Sequence, residues 1–202
     1  MRPRSCFWIA LAALACGWSM GVARAEDEVD LELRIERLFQ QDTREWEREA
    51  RALGSRDDLA LAAARRLLQR LAADRLWFWG EKARILEVAH FMGDRPIPAV
   101  TEALNHPRRS MRRAAVQWLE QVTAFANRWP NTRRSLHALG HALADSDEEV
   151  AWRAAVALRR ARAEAEGTTR ALAGALGHPS PRVRSSAADA LAMIGLRPRA
   201  RR

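Results

Sequence analysis

The sequence predicts an all-α protein in which helical hairpins stack into an α-α superhelix behind a helical N-terminal cap. Apolar residues recur at three- and four-residue steps after Glu26, and β-branched residues are scarce. Glycine followed by a hydroxyl residue, as in Gly54-Ser55 and Gly167-Thr168, marks the end of one helix and the start of the next. The same apolar pattern also returns after 39 and 33 residues. Such periods are typical of stacked helical hairpins, because each hairpin buries its apolar face against its neighbours.

The repeat unit has a leucine, a polar turn and an apolar residue seven positions later, with alanine at +4 and leucine at +8 from that residue. The alanine has a packing explanation, since two helices approach closely only where the side chain between them is small. A Ser-x-x-Glu capping box at Ser146 and the proline at Pro181 predict the starts of two second helices. The units are Leu104 with Met111, Ala115 and Leu119; Leu143 with Val150, Ala154 and Leu158; and Leu176 with Val183, Ala187 and Leu191.

Segments 143–150 and 183–195 resemble HEAT repeats, most closely the short bacterial type known as PBS-lyase HEAT-like repeats. The terminal Ile194-Gly195 matches the family pattern, and Met92-Gly93-Asp94 is similar to its Ile-Gly-Asp ending. The resemblance implies HEAT-like repeats over 78–195, with the second helix of each hairpin lining a concave face. It also implies a scaffold that binds another protein.

The residues before the repeats are expected to form the cap, over 26–77. Apolar residues between Leu31 and Leu53 predict one long amphipathic helix, and a second helix is expected from about Asp57 to Leu71. A terminal unit of a solenoid needs a polar outer face, which these helices can supply. Residues 196–202 are predicted to be a basic tail.

Residues 1–25 have the pattern of a signal peptide. Arg2 and Arg4 precede a short apolar run, and an Ala-x-Ala site predicts cleavage between Ala25 and Glu26. The expectation is therefore an exported protein, periplasmic or secreted, with no transmembrane segment in the mature chain. Cys16 lacks the large aliphatic residue three positions earlier that a lipobox requires, which argues against a lipoprotein.

Charge is distributed unevenly along the chain: residues 26–93 carry a net −3 and residues 94–202 a net +9. A surface of one charge sign favours encounter with an oppositely charged partner. The leading hypothesis is therefore a partner protein with an acidic surface. The alternatives are a small anionic ligand bound by a lyase-like or enzyme-accessory protein, and an anionic polymer or nucleic acid. The predicted binding residues are Arg112, Arg113, Arg153, Arg159, Arg160, Arg184, Trp118 and Trp152.

Export counts against a nucleic acid partner. A further alternative is that the basic surface binds no partner and its arginines form ordinary surface pairs, for which Glu120, Asp147, Glu149 and Asp189 are the candidate acids.

No catalytic motif, cofactor or metal site is predicted. His137 and His141 lie four residues apart on one helix, but a metal needs three or more converging ligands. The third would have to come from another repeat, with His106 and His178 as the candidates, and nothing in the sequence requires it. HEAT-repeat di-iron hydroxylases carry His-Glu dipeptides, and no histidine of this chain is followed by glutamate. The chain is therefore expected not to be an enzyme.

Overall fold

The computed structural model of the protein describes residues 28–39, 43–73, 79–124, 133–161 and 167–195. These ranges are helical and contain no strand, which confirms the all-α prediction. The described ranges contain ten helices, numbered in chain order: α1 (28–37), α2 (Thr43–Leu53), α3 (Asp57–Ala72), α4 (Trp79–Met92), α5 (Ile97–Leu104), α6 (Arg109–Ala124), α7 (Arg133–Ala142), α8 (Glu148–Ala161), α9 (Thr169–Ala175) and α10 (Pro181–Gly195).

The helices form two layers, one of odd-numbered and one of even-numbered members. Within the even layer α2 packs on α4, α4 on α6, α6 on α8 and α8 on α10. Within the odd layer α3 packs on α5, while α5 touches α7 and α7 touches α9 more locally. The three C-terminal hairpins, α5/α6, α7/α8 and α9/α10, are those expected from the 39- and 33-residue steps.

The small residues of the repeat explain why the even layer is tight. Ala115, Ala154 and Ala187 are each 0% exposed in the centres of α6, α8 and α10. Without a larger side chain at these positions the helices can approach closely along their whole length. Proline begins α10 at Pro181 as predicted, where its missing N–H costs no helical hydrogen bond.

The prediction of one long helix between Leu31 and Leu53 is wrong. The chain turns after α1, where the N–H groups of Leu38 and Phe39 donate to the carbonyls of Ile35 and Glu36 at 3.1 and 3.0 Å, and α2 begins separately. The apolar spacing did not reveal the break, because Leu38 and Trp46 are separated by about two helical turns and stay in phase.

The N-terminal helices follow the same alternation as the repeats. Helix α1 lies against α3, where Arg66 and Arg70 pair with Glu32 at 3.2 and 3.3 Å. Helices α2 and α4 share a 39-residue register, in which buried residues of α2 correspond to buried residues of α4. The pairs are Trp46 with Ile85, Ala50 with Ala89 and Leu53 with Met92.

Glycines end both α2 and α4 for different physical reasons. Gly93 has φ 71°, the left-handed conformation that ends many helices and that other residues adopt with strain. At Gly54 the requirement is space, since an added Cβ would lie 2.7 Å from the Cα and carbonyl oxygen of Met92. The end of α2 thus contacts the main chain of α4 directly.

Several predictions concern residues outside the described ranges. These are the signal peptide over 1–25 with Cys16, Ala25 and Glu26, the boundary between residues 77 and 78, and the tail over 196–202. Among the described helices, none combines the length and apolar character that crossing a bilayer requires.

Candidate functional site

Three helices of the even layer, α6, α8 and α10, begin at equivalent turns, which lie 39 and 33 residues apart. In each turn a side chain accepts a hydrogen bond from the main-chain N–H two residues later. His106 Nδ1 accepts at 3.0 Å, Asp145 Oδ1 at 2.7 Å and His178 Nδ1 at 3.1 Å. This shared geometry starts α6, α8 and α10 at corresponding positions and places the predicted binding arginines on neighbouring helices.

Arg112 joins two of these turns. Its guanidinium donates to the carbonyl oxygens of His106 and Pro107, each at 3.1 Å, and makes two bonds of 2.8 and 3.2 Å to the carboxylate of Asp145. Only 15% of its side chain is exposed. Arg112 therefore fastens one repeat to the next, and most of its donors already have acceptors.

Arg184 repeats half of this arrangement in the last hairpin. It donates to the carbonyl oxygens of His178 and Pro179 at 2.9 and 2.8 Å, as Arg112 does to its own turn. Carbonyl oxygens satisfy N–H donors without neutralising the guanidinium charge. Arg184 is exposed, so its charge can act on a partner.

Arg113 pairs with Asp147 in a two-bond contact of 3.0 and 2.9 Å. Asp147 also caps α8, because its Oδ1 accepts from the N–H groups of Glu149 and Val150 at 3.1 and 3.3 Å. The capping residue is thus Asp147 and not Ser146. Burial alone would raise the pKa of Asp147, but the hydrogen bonds from Arg113 and from the main chain outweigh it and lower that pKa below its usual value.

Two glutamates connect the remaining arginines of α8. Glu120 is 9% exposed and accepts from Arg153 at 3.0 Å and from Arg160 at 2.6 Å. Glu149 accepts from Arg153 at 2.7 Å and from Arg182 at 3.3 Å. This network crosses α6, α8 and α10, so it holds the even layer together by charge as well as by apolar packing.

Arg159 makes a looser contact, with 3.7 Å between its Nη1 and Asp189 Oδ2 and with both side chains largely exposed.

The two predicted tryptophans occupy different environments. Trp152 is half-buried on α8, and the guanidinium carbon of Arg182 lies 3.4 Å from the centre of its ring, which is a close cation–π stack. Trp118 is 0% exposed, and its indole N–H is buried without an acceptor among the described residues. A residue inside the core cannot contact a surface partner, so the predicted role of Trp118 as a surface anchor does not fit its position.

The structure therefore places the predicted arginines on the neighbouring helices α6, α8 and α10 and pairs most of them. All four acids considered as surface partners take part, and so does Asp145. Sequence reasoning missed Asp145 and Arg182, although the 33-residue step contained the signal: Arg112 and Asp145, like Glu149 and Arg182, are one such step apart.

The two weak metal candidates face a different surface, between α5 and α7. His137 and His141 are exposed, and their rings make an edge contact with 4.6 Å between centres. In the described part of the chain, no group of three or more His, Cys, Asp or Glu side chains converges.

Comparison with known proteins gives one family match: the model of HEAT repeats matches residues 136–202. No curated protein matches. Among solved structures, an engineered protein is 20% identical over 82% of this chain and 79% of its own, with a TM-score of 0.47. Human deoxyhypusine hydroxylase is 16% identical over 82% and 73%, with a TM-score of 0.44. A designed armadillo repeat protein in complex with a (KR)4 peptide is 15% identical over 86% and 85%, with a TM-score of 0.43.

Proposed function

We propose that this HEAT-repeat protein is a non-catalytic scaffold that binds another protein through the face of its even-numbered helices. The observation that carries the proposal is the ion-pair network crossing α6, α8 and α10. It fixes the helices in register while leaving guanidinium groups at the surface. A surface held in its binding geometry loses little entropy when a partner arrives, so it is suited to binding.

An acidic partner fits the arginines that keep most of their exposure. Arg160 retains 53% and Arg159 42% of their side-chain exposure, and Arg184 donates to carbonyls alone among the described residues. These side chains can meet partner carboxylates without breaking the more buried Arg112–Asp145 pair. The Trp152–Arg182 stack lies on the same helices and offers an aromatic contact of the kind that often dominates interface energy.

The proposal includes export to the bacterial cell envelope. Its support is the ordered arrangement of basic, apolar and Ala-x-Ala segments in residues 1–25. Mass spectrometry of the native protein should find Glu26 at the N-terminus. An intact Met1 would contradict export, and a lipid on Cys16 would replace the free periplasmic form with a membrane-anchored one.

A charge-reversal experiment tests the binding face. The variant Arg159→Glu/Arg160→Glu/Arg184→Glu should capture less partner from bacterial envelope extract than wild type, and the loss should appear first in the association rate. Reversal of Arg37, Arg65 and Arg170 changes the charge equally at exposed positions on odd-numbered helices and should leave capture unchanged. Equal capture by wild type and the first variant, with both folded, would contradict the proposed face.

A salt titration distinguishes this function from the binding of an anionic polymer. Polymer binding releases many counterions and weakens steeply with ionic strength, whereas binding to a protein through a few buried contacts weakens less. A steep linear fall of log affinity against log salt, together with loss of protein capture, would favour the polymer.

A further inference from the structure

The odd layer contains a second candidate surface, in an open groove of about 1280 Å³ between α5 and α7. The groove exists because α6 and α8 pack along their length, whereas α5 and α7 touch only locally. Of the residues in the ion-pair network described above, Asp145 is the one that also lines this groove among the described residues.

One wall of the groove is a basic ridge. Arg133, His137 and His141 are four residues apart, so they form one row along α7, and all three are exposed. Arg134 adds a further charge at the start of the helix. Arginine always carries its charge, and an imidazole can donate an N–H hydrogen bond in either protonation state. The ridge is therefore a row of donors suited to carboxylates.

The opposite wall is apolar and amide-like. Ile97, Thr101 and Asn105 form the corresponding row along α5, and Pro98 and Leu104 flank it. The Thr101 hydroxyl donates to the Ile97 carbonyl at 2.8 Å, and the Asn105 amide nitrogen donates to the Thr101 carbonyl at 3.1 Å. Among the described lining residues this wall has no cation. Its exposed Pro98 and half-buried Thr101 can contact the apolar part of a ligand, whereas Ile97 and Leu104 are largely buried.

The charge of the groove is unbalanced. Asp145 is the one carboxylate among its described lining residues, and its oxygens already accept from Arg112 and from the Asp147 N–H. Helices α7 and α9 contain no acidic residue. Two arginines also lie at the N-terminus of α7, where the helix dipole disfavours cations. An anionic ligand would relieve both the charge imbalance and the unfavourable dipole interaction.

The spacing of the ridge indicates the shape of that ligand. Residues four apart on a helix advance by about 6 Å along its axis. Alternate residues of an extended chain advance by about 6.6 Å and point to the same side. We infer that the α5–α7 groove binds an extended acidic segment of a partner protein, with carboxylates at every second position along the Arg133–His137–His141 ridge and the intervening side chains against α5.

The inference concerns a different surface from the proposed even-layer face, so either can fail alone. The test uses the full chain and a fluorescent peptide of alternating Glu and Val, followed by anisotropy. Its control is the same peptide with Gln in place of Glu. The Glu peptide should bind the wild type, and Arg133→Gln/His137→Gln/His141→Gln should weaken that binding by at least about tenfold, the effect of losing one charged hydrogen bond.

Two further variants make the outcome decisive. Pro98→Glu places a carboxylate on the α5 wall at an exposed position in the first helical turn, where an acid suits the helix dipole, and it should also weaken binding. Arg170→Gln removes an exposed charge of α9 outside the groove and should leave binding unchanged. The inference is overturned if the Glu peptide fails to bind the wild type, if the Gln peptide binds equally, or if the ridge and Pro98→Glu variants bind like wild type. If Arg159→Glu/Arg160→Glu/Arg184→Glu alone loses peptide binding, the peptide binds the even layer, and the inference is likewise overturned.

Discussion

Removing Arg112 or Asp145 should show that this arginine holds two repeats together. The pair is two-bonded and largely buried, with 15% and 10% side-chain exposure, and Arg112 also donates to two carbonyls of its own turn. Breaking a fully buried pair by removing one partner costs about 3–5 kcal/mol. Since both side chains keep some contact with water, we expect about 2–3 kcal/mol for Arg112→Met or Asp145→Ala and a coupling energy of about 2 kcal/mol.

The assay is a double-mutant cycle measured by urea unfolding, with far-UV circular dichroism as the probe. An unchanged dependence on urea ensures that midpoint shifts report stability. The matched cycle uses Arg159→Ala and Asp189→Ala, because that pair is separated by 3.7 Å with 42% and 58% exposure. Its coupling should be below about 0.5 kcal/mol, the usual value for exposed pairs. Equal coupling energies in the two cycles would refute the distinction between Arg112, which holds two repeats together, and Arg159, which is free to contact a partner.

Four further predictions test the layers and the cap of α8. Gly54→Ala should destabilise the protein by about 1–3 kcal/mol in thermal unfolding through its clash with α4. Gly174→Ala, with open space around it inside α9, should stabilise it by about 0.5–1 kcal/mol. Ala154→Leu should cost about 1–3 kcal/mol by overpacking the even layer, whereas Ala188→Leu on the exposed side of α10 should be tolerated. Asp147 has a lowered pKa, so it contributes stability that is present at neutral pH and is lost as the pH falls below the usual value of 3.8. Asp147→Asn should therefore be less stable at pH 7, and the difference should shrink in acid; a constant difference would contradict the charge argument.

The sequence predicted the C-terminal hairpins well because their pattern is repeated in one register. Alanine at the closest approach and a polar turn seven residues earlier are local features, so spacing alone locates them. The N-terminal hairpins were harder to predict because α2 and α4 keep only part of the motif. Ala50 and Ala89 lie at +4 from Trp46 and Ile85, but glycine stands at +8 where the repeat has leucine. Comparing α2 with α4 directly would have shown that they are equivalent.

The break after α1 could not be read from apolar periodicity. No glycine or proline marks it, and the turn is made by main-chain bonds of Leu38 and Phe39. A pattern that continues in phase across a turn looks the same as a continuous helix. The position of Trp118 was unpredictable for a related reason, since a tryptophan beside the buried row of α6 can face either the core or the solvent until the neighbouring helices are placed.

Arginines of one repeat are balanced mainly by acids of a neighbouring repeat and not by acids of their own segment. Arg112, Arg113 and Arg153 pair with acids 33 or 34 residues away, and Arg160 with one 40 residues away, so each is neutralised by a neighbouring repeat. Counting charges along the chain therefore cannot separate a structural arginine from one available for binding. The same count includes Arg133 and Arg134 of α7, and their helix has no acid of its own.

The layered arrangement also explains why the two candidate surfaces should respond differently to salt. On the even layer, many arginines are already paired with carboxylates, so the exposed arginines attract a partner less strongly at long range, and close contacts such as the Trp152–Arg182 stack contribute more of the affinity. On the odd layer, the α7 ridge faces an uncharged wall, and its long-range attraction should fall as the Debye length shortens to about 3 Å at 1 M salt. Between about 0.05 and 1 M salt, binding of an acidic peptide to the groove should therefore weaken more than capture of a partner by the even layer. The opposite order would mean that the ion pairs of the even layer open to receive the partner.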